Sequence, residues 1–284
     1  MALTVADESA HSREGWDDAR VETWTLTFGN AEECAGRIAT TFLADQVRLS
    51  VVLLHPHYGP LIVRDAIPRR SDTLELRADG VWMNQWCETP FTHWTYGLEA
   101  FGVELEDARD TWHGERGHRI PIGLDLECEH HVAALDAGSG YVQPGHIDGE
   151  VLIGEDRMPV VTYGLRTHWW NASDDEQSLW WHNVEGDVFV QRTRAVHWRT
   201  ANPDLLDVRT YESTVDTLGF PRRVDVSLGH DAQHFDVEPV DWAGEILSET
   251  PLRVLPHAAL RVAGNDGAPG FGWQVGAVTE GAVS

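Results

Sequence analysis

The sequence predicts a mainly β, antiparallel fold in two packed halves, and three observations carry that prediction. Apolar residues recur with a period of two in many short stretches, turn-forming residues separate those stretches, and a small-residue run near the middle divides the chain. Trp24, Leu26 and Phe28 alternate with Thr23, Thr25 and Thr27, as expected of a strand with one buried face. Trp94, Tyr96 and Leu98 repeat the pattern, followed by Ile122, Leu124, Leu126 and Cys128, and later by Val224, Val226 and Leu228. Turns are expected at Phe28-Gly29-Asn30, Tyr58-Gly59-Pro60, Ala78-Asp79-Gly80, Gly154-Glu155-Asp156 and Glu185-Gly186-Asp187. Such short links suit antiparallel hairpins, whereas a parallel sheet needs long helical crossovers. A useful helical period is expected only over 203–219.

The alternation breaks at Ala133-Ala134-Leu135-Asp136-Ala137-Gly138-Ser139-Gly140. The expected organisation is an N-terminal tail over 1–20, a first domain over 21–137 and a second over 138–284, each half being the size of a small barrel. There is no internal repeat, so two barrels and one continuous sandwich both remain open on the residues alone.

Composition excludes several classes. With 42% hydrophobic and 24% charged residues in 284, the chain has the make-up of a folded globular protein. It carries 46 acidic residues against 21 basic ones, all arginine, for a net charge of -25. No basic cluster exceeds Arg69-Arg70 or Arg222-Arg223, so no nucleic-acid partner is expected. Cys34, Cys87 and Cys128 are too widely spaced for a disulfide framework or a C-x-x-C motif and read as reduced core residues. The first twenty residues lack the apolar run of a secretory signal, and no stretch approaches a membrane span; a cytoplasmic protein is expected.

P-loop, G-x-G-x-x-G, G-x-S-x-G and H-E-x-x-H patterns are missing, and Ser139 lies in the expected linker. His55-Pro56-His57 could offer two imidazoles, but no third ligand follows; His130-His131 point to opposite faces if extended, and His230 and His234 would need a helix. No metal is expected. The 13 tryptophans are more informative. In a strand from Val160 to Trp170, Arg166, His168 and Trp170 share one face and Thr167 and Trp169 the other. A second strand with Trp180 and His182 on one face could lie beside it, across the acidic loop Asp174-Asp175-Glu176. An aromatic cavity with a few polar groups is the usual form of a small-molecule site, and indole faces stabilise cationic intermediates. A tryptophan-rich core without a site is the competing reading.

Several local sequences resemble a known group. Leu74-Glu75-Leu76-Arg77-Ala78-Asp79-Gly80-Val81-Trp82, Cys87-Glu88-Thr89-Pro90 and His93-Trp94-Thr95-Tyr96-Gly97-Leu98-Glu99-Ala100-Phe101 are similar to the first half of the AttH-like and carotenoid hydratase (hydroxyneurosporene synthase) superfamily, closest to its uncharacterised bacterial members. Gly140-Tyr141-Val142-Gln143-Pro144-Gly145 and Tyr163-Gly164-Leu165-Arg166-Thr167-His168-Trp169-Trp170 resemble the second half, the latter its G-x-R-D-H-S-W-G region. Fungal decalin-forming cyclases are more distant relatives. The resemblance implies two packed lipocalin-like (calycin) antiparallel β-barrels holding an apolar ligand, with no cofactor. It implies a lyase or isomerase of hydratase or cyclase type, acting on a hydrophobic isoprenoid, polyketide or steroid-like molecule. A non-catalytic carrier and a pericyclase are the alternatives, and self-association is left open.

His168 and Trp170 match the H-x-W of the motif, while its Asp is Thr167, its Ser is Trp169 and its last Gly is Asn171. His168 is therefore expected to transfer a proton, since an imidazole titrates near working pH. Arg166 would hold a polar substrate group, and Asp175 would replace the missing acid. Trp170, Trp82, Trp86, Trp94, Tyr163, Trp180 and His182 would line the cavity.

Overall fold

A computed structural model describes residues 2–11, 21–29, 33–170, 177–191, 194–249, 252–264 and 269–281. A 3-10 turn, Val5–Glu8, precedes the first strand. The first sheet contains β1 (Glu22–Gly29), β2 (Ala35–Phe42), β3 (Gln46–Leu54), β4 (Leu61–Pro68), β5 (Glu75–Ala78), β6 (Val81–Thr89), β7 (His93–Leu105), β8 (Gly117–Glu129), β9 (Leu135–Asp136), β10 (Gly140–Ile153) and β11 (Asp156–Trp170). It closes on itself: β1 pairs with β11, and β4 meets β7 through Leu61 opposite Glu104 and Ile62 opposite Val103. The ring runs β1-β2-β3-β4-β7-β8-β10-β11, with β6 and β5 continuing outward from β7.

The second sheet holds β12 (Ser178–Asn183), β13 (Gly186–Gln191), β14 (Arg194–Trp198), β15 (Asp204–Val215), β16 (Pro221–Leu228), β17 (Gln233–Glu249), β18 (Leu252–Gly264), β19 (Pro269–Val275) and β20 (Thr279–Gly281). It also closes, because β12 pairs with β19 and β17 with β18. Two antiparallel barrels result, as expected.

Alternation decides which side chains enter each barrel. Trp24, Leu26, Phe28, Trp94, Tyr96 and Leu126 fill the first, and Leu179, Trp181, Val226, Phe235 and Leu260 fill the second. A third cluster joins the two outer surfaces, with Val142, Leu165 and Trp169 from one barrel against Trp180, Phe189 and Trp273 from the other. Residues of one strand thus serve two cores, one per face. Bridging the barrels, buried Arg37 on β2 donates to Glu245 on β17 at 3.1 Å, and His257 on β18 meets the same carboxylate oxygen at 3.1 Å.

Three expectations change. The sheets part between Trp170 and Ser178, not at 137/138, because the β10–β11 hairpin supplies two strands of the first ring. The small-residue run is only the link from β8 to β10, carrying the short β9. Residues 204–215 form strand β15, its helical period overridden by pairing with β14 and β16. Residues 2–11 are also more than a tail, since Glu8 is buried. No described helix is long and apolar enough to cross a membrane.

Candidate functional site

The site grows from three neighbouring strands. In register, Trp24 on β1 faces His168 on β11, which faces Tyr141 on β10; one step along, Leu26, Arg166 and Gln143 are aligned. Successive side chains of a strand point to opposite faces, so Arg166 and His168 enter the first barrel while Leu165, Thr167 and Trp169 point to the second. Trp170 stays at the barrel end, its ring 5.0 Å from that of His168.

His168 has no exposed surface and lies stacked on Trp24, with ring centroids 3.9 Å apart. Its Nδ1 is 2.8 Å from the carbonyl oxygen of Asp7. A carbonyl only accepts, so Nδ1 carries a hydrogen and donates it. Nε2 then faces Glu22 Oε1 at 2.8 Å. The same oxygen lies 2.6 Å from His11 Nδ1, and the His11 backbone N–H donates to it at 3.1 Å. Burial alone would raise the Glu22 carboxyl, but hydrogen bonds from His11 and His168 hold it below the usual range. Burial depresses His168, and its contacts with Glu22 and Asp7 only partly restore it. A bare carboxylate opposite an unprotonated Nε2 would set lone pairs against each other, so the pair must share one proton across that contact.

The second constellation surrounds Arg166, which is 1% exposed. Its guanidinium donates to Glu8 Oε1 and Oε2 at 2.9 and 3.1 Å, to the Tyr141 hydroxyl at 2.5 Å, to Gln143 Oε1 at 3.3 Å and to His130 Nε2 at 3.2 Å. It also lies over the Trp94 ring at 4.6 Å. Burial opposes the charge of Arg166, and Tyr141 and Glu8 outweigh it, so the cation stands. Glu8 accepts further hydrogen bonds from Trp94 Nε1 at 2.7 Å, from the Phe91 N–H at 3.1 Å and from the Tyr141 hydroxyl. Burial drives His130 down to about 3, and the neighbouring Arg166 adds to that. The neutral ring donates through Nδ1 to the Pro144 carbonyl at 2.9 Å and accepts from Arg166.

Three ligand-type side chains, His11, Glu22 and His168, place donor atoms within 4.8 Å of one another. Two ligands on a tetrahedral zinc at ~2.0–2.1 Å stand roughly 3.3 Å apart. The contacts of 2.6 and 2.8 Å are hydrogen bonds instead, and a metal would have to spread them.

The other sequence-derived candidates disperse. Trp94 joins Arg166 inside the barrel. Trp86 lies outside it, 57% exposed, and Trp82 leans over Gly97 on the outer surface beside Arg77 and Glu99. Tyr163 and His182 stack across the two barrels at 3.7 Å, and Trp180 donates to Asp187 at 3.2 Å within the inter-barrel layer. Tyr163 is on the outer face of β11, while Trp180 and His182 are on β12 opposite it, because β12 pairs with β13 and β19 and does not extend the β11 sheet. Between the barrels, Thr25, Thr167, Trp169, Trp180 and Trp273 enclose about 20 Å³, room for one water. Asp175 lies outside the described residues. His55 and His57 sit in the turn after β3, His131 is exposed, and His230 and His234 belong to the β16–β17 hairpin.

Sequence reading missed Glu8, Glu22, His11, Tyr141 and Gln143 as site residues and weighed His130 only as a metal ligand. Glu22 carried a signal, since alternation places it on the inward face with Trp24. Tyr141 and Gln143 alternate likewise within the quoted Gly140–Gly145 stretch. Glu8 carried none.

The sequence matches no known family profile and no curated protein. The fold has solved counterparts. A candidate AttH from Nitrosomonas europaea superposes with a TM-score of 0.67 at 12% identity, covering 98% of this chain and 97% of that one. CghA aligns with a TM-score of 0.56 at 9% identity, over 92% of this chain and 88% of its own. Kievitone hydratase from Nectria haematococca gives 0.56 at 8% identity, over 92% and 89%. The two-barrel fold expected from the resemblance is therefore present.

Proposed function

We propose that the chain is a cofactor-independent enzyme of hydratase or cyclase type acting on a hydrophobic small molecule, with the proton held between His168 and Glu22 as its acid–base device. The observation that carries this reading is the contact geometry: Nδ1 lies 2.8 Å from the Asp7 carbonyl and Nε2 2.8 Å from Glu22 Oε1, under the Trp24 ring and beside Trp170, an arrangement that calls for one proton between Nε2 and Oε1. A couple of this kind can give a proton to an alkene carbon and recover one from the water that adds to the other carbon. The indole faces favour the positive charge formed between those steps. Residues 7–11 lie across the couple, so productive binding requires that segment to swing away. Arg166 does not hold a substrate anion in this arrangement, because Glu8 already occupies that position; its role is to position Tyr141 and the N-terminal segment. The shared fold with a hydratase supports the reaction class, and the isoprenoid, polyketide or steroid-like substrate remains part of the proposal.

The test incubates the protein with a panel of prenylated and polyene compounds in water enriched in oxygen-18, read by mass spectrometry. A product with one labelled oxygen, or an isomer of unchanged mass, is expected, with loss of turnover in His168→Gln and Glu22→Gln. Unchanged turnover in both variants sinks the assignment. A carrier reading draws on one observation: the hydrogen bonds of Arg166 and His168 end within the chain itself. It predicts retention of a ligand with no change in mass.

A further inference from the structure

The second barrel has its own concavity, of about 350 Å³, at the end where β12 begins and β19 finishes. Gln177, Tyr211, Ser213, Val215, Gln274 and Thr279 contribute to its wall. Tyr211, Ser213 and Val215 share one face of β15 by alternation, and Tyr211 packs on the apolar filling of the barrel. Across the mouth, the Tyr211 hydroxyl accepts from Gln177 Nε2 at 3.1 Å and from Gln274 Nε2 at 3.3 Å.

The polar accounting does not close. Gln274 has no exposed surface, yet its Oε1 meets no hydrogen-bond partner among the described residues, and neither does Ser213 Oγ. Turning the Gln274 amide over would satisfy Oε1 with the Tyr211 proton and orphan Nε2 instead, so one amide atom is unspent either way. A buried polar atom left without a partner costs ~1–3 kcal/mol, which a ligand group can recover. In a chain of net charge -25, no Asp, Glu, Arg or His among the described residues lines this wall. Val215, Pro221 and Ala277 supply apolar surface beside the polar atoms.

We infer that the mouth of the second barrel is a binding site for an uncharged small molecule with an apolar body and a terminal carboxamide or hydroxyl group, which pairs with Gln274 and Ser213. It is separate from the His168–Glu22 couple and does not depend on it. The volume falls within the range of small-molecule pockets, ~300–1,000 Å³.

Octanamide and octanoate have nearly the same shape and differ in charge, so titrating both into nitrogen-15-labelled protein tests the inference. Octanamide is expected to bind saturably and shift the side-chain amide resonances of Gln274 and Gln177, with octanoate at least about tenfold weaker. Gln274→Leu should weaken octanamide by about tenfold. Because that residue is buried, Ala277→Trp at the exposed rim is the second variant, and it should block binding while leaving thermal unfolding unchanged. His168→Gln should leave octanamide binding as it is, which separates this site from the catalytic proposal. Equal affinity for octanoate, unmoved glutamine resonances, or undiminished binding in Ala277→Trp would overturn the inference.

Discussion

Replacing Glu8 with alanine should be among the most damaging single changes in the chain, although residue 8 precedes every strand. The carboxylate is the acid paired with Arg166 inside the first barrel, and both side chains are nearly inaccessible, at 2% and 1%. Its loss leaves a guanidinium in the interior without its counter-charge, and breaking a buried pair in this way costs ~3–5 kcal/mol. Trp94 Nε1 and the Phe91 N–H lose their acceptor as well, although water entering from the N-terminal side would restore part of that. A net loss of about 4 kcal/mol is expected, a large share of the ~5–15 kcal/mol typical of a domain. Urea unfolding followed by tryptophan fluorescence measures it. Glu8→Gln should fall between wild type and Glu8→Ala, since the amide keeps an acceptor for Trp94. The double variant Glu8→Ala, Arg166→Met should recover about half the loss, because it removes the stranded charge. The reasoning is refuted if Glu8→Ala costs less than about 1 kcal/mol, or if the double variant is no more stable than the single one.

Acid should weaken the fold in two windows. His130 is lowered from 6.5 to about 3, so its contribution is whole above pH 6.5 and is lost as pH falls toward 3. Burial would raise Glu245, but His257 and Arg37 hold it at about 2 against 4.5, so its share is whole above 4.5 and fades toward 2. The two shifts correspond to about 5 and about 3 kcal/mol at most, and urea midpoints at pH 7 and pH 4 in wild type and His130→Gln should show the first window flattened in the variant. Tyr163→Ala should cost about 1 kcal/mol through its lost stack on His182 and leave turnover unchanged, since the ring lies on the inter-barrel face; a fall in activity at full folding would contradict that placement. Gly145→Ala should cost about 1–3 kcal/mol in thermal unfolding, because its methyl would stand 2.8 Å from both Glu129 O and His130 Nδ1.

What the sequence made legible was local. The alternation of Trp24, Leu26 and Phe28 and of Ile122 to Cys128 fixed which faces turn inward, and the expected turns at Tyr58–Pro60, Ala78–Gly80 and Gly154–Asp156 all join paired strands. The common face of Arg166 and His168 was legible for the same reason. Which strand a hairpin joins is not a local property: the break around Gly138 looked like a domain boundary because loss of alternation marks a loop, whichever sheet follows. Trp82 and Trp86 are expected to line the cavity with Trp94, but period two places them on the outer face of β6, away from it. Glu8 was invisible because its partner is 158 positions away, and nothing periodic in residues 2–11 points to an arginine inside a barrel.

The pairing of β1 with β11 sets an order of assembly. Trp24 is made long before the strand that seals it in, which ends at Trp170, so the first barrel stays an open sheet until β11 has been synthesised. Loop-closure entropy makes such distant pairings slow, and the Trp24–Phe28 edge is exposed to wrong partners meanwhile. The N-terminal turn can dock only after that seam closes, because Glu8 needs Arg166 from β11. Its docking would then mark the end of folding of the first barrel, a late event that a protease cutting within residues 2–11 could time.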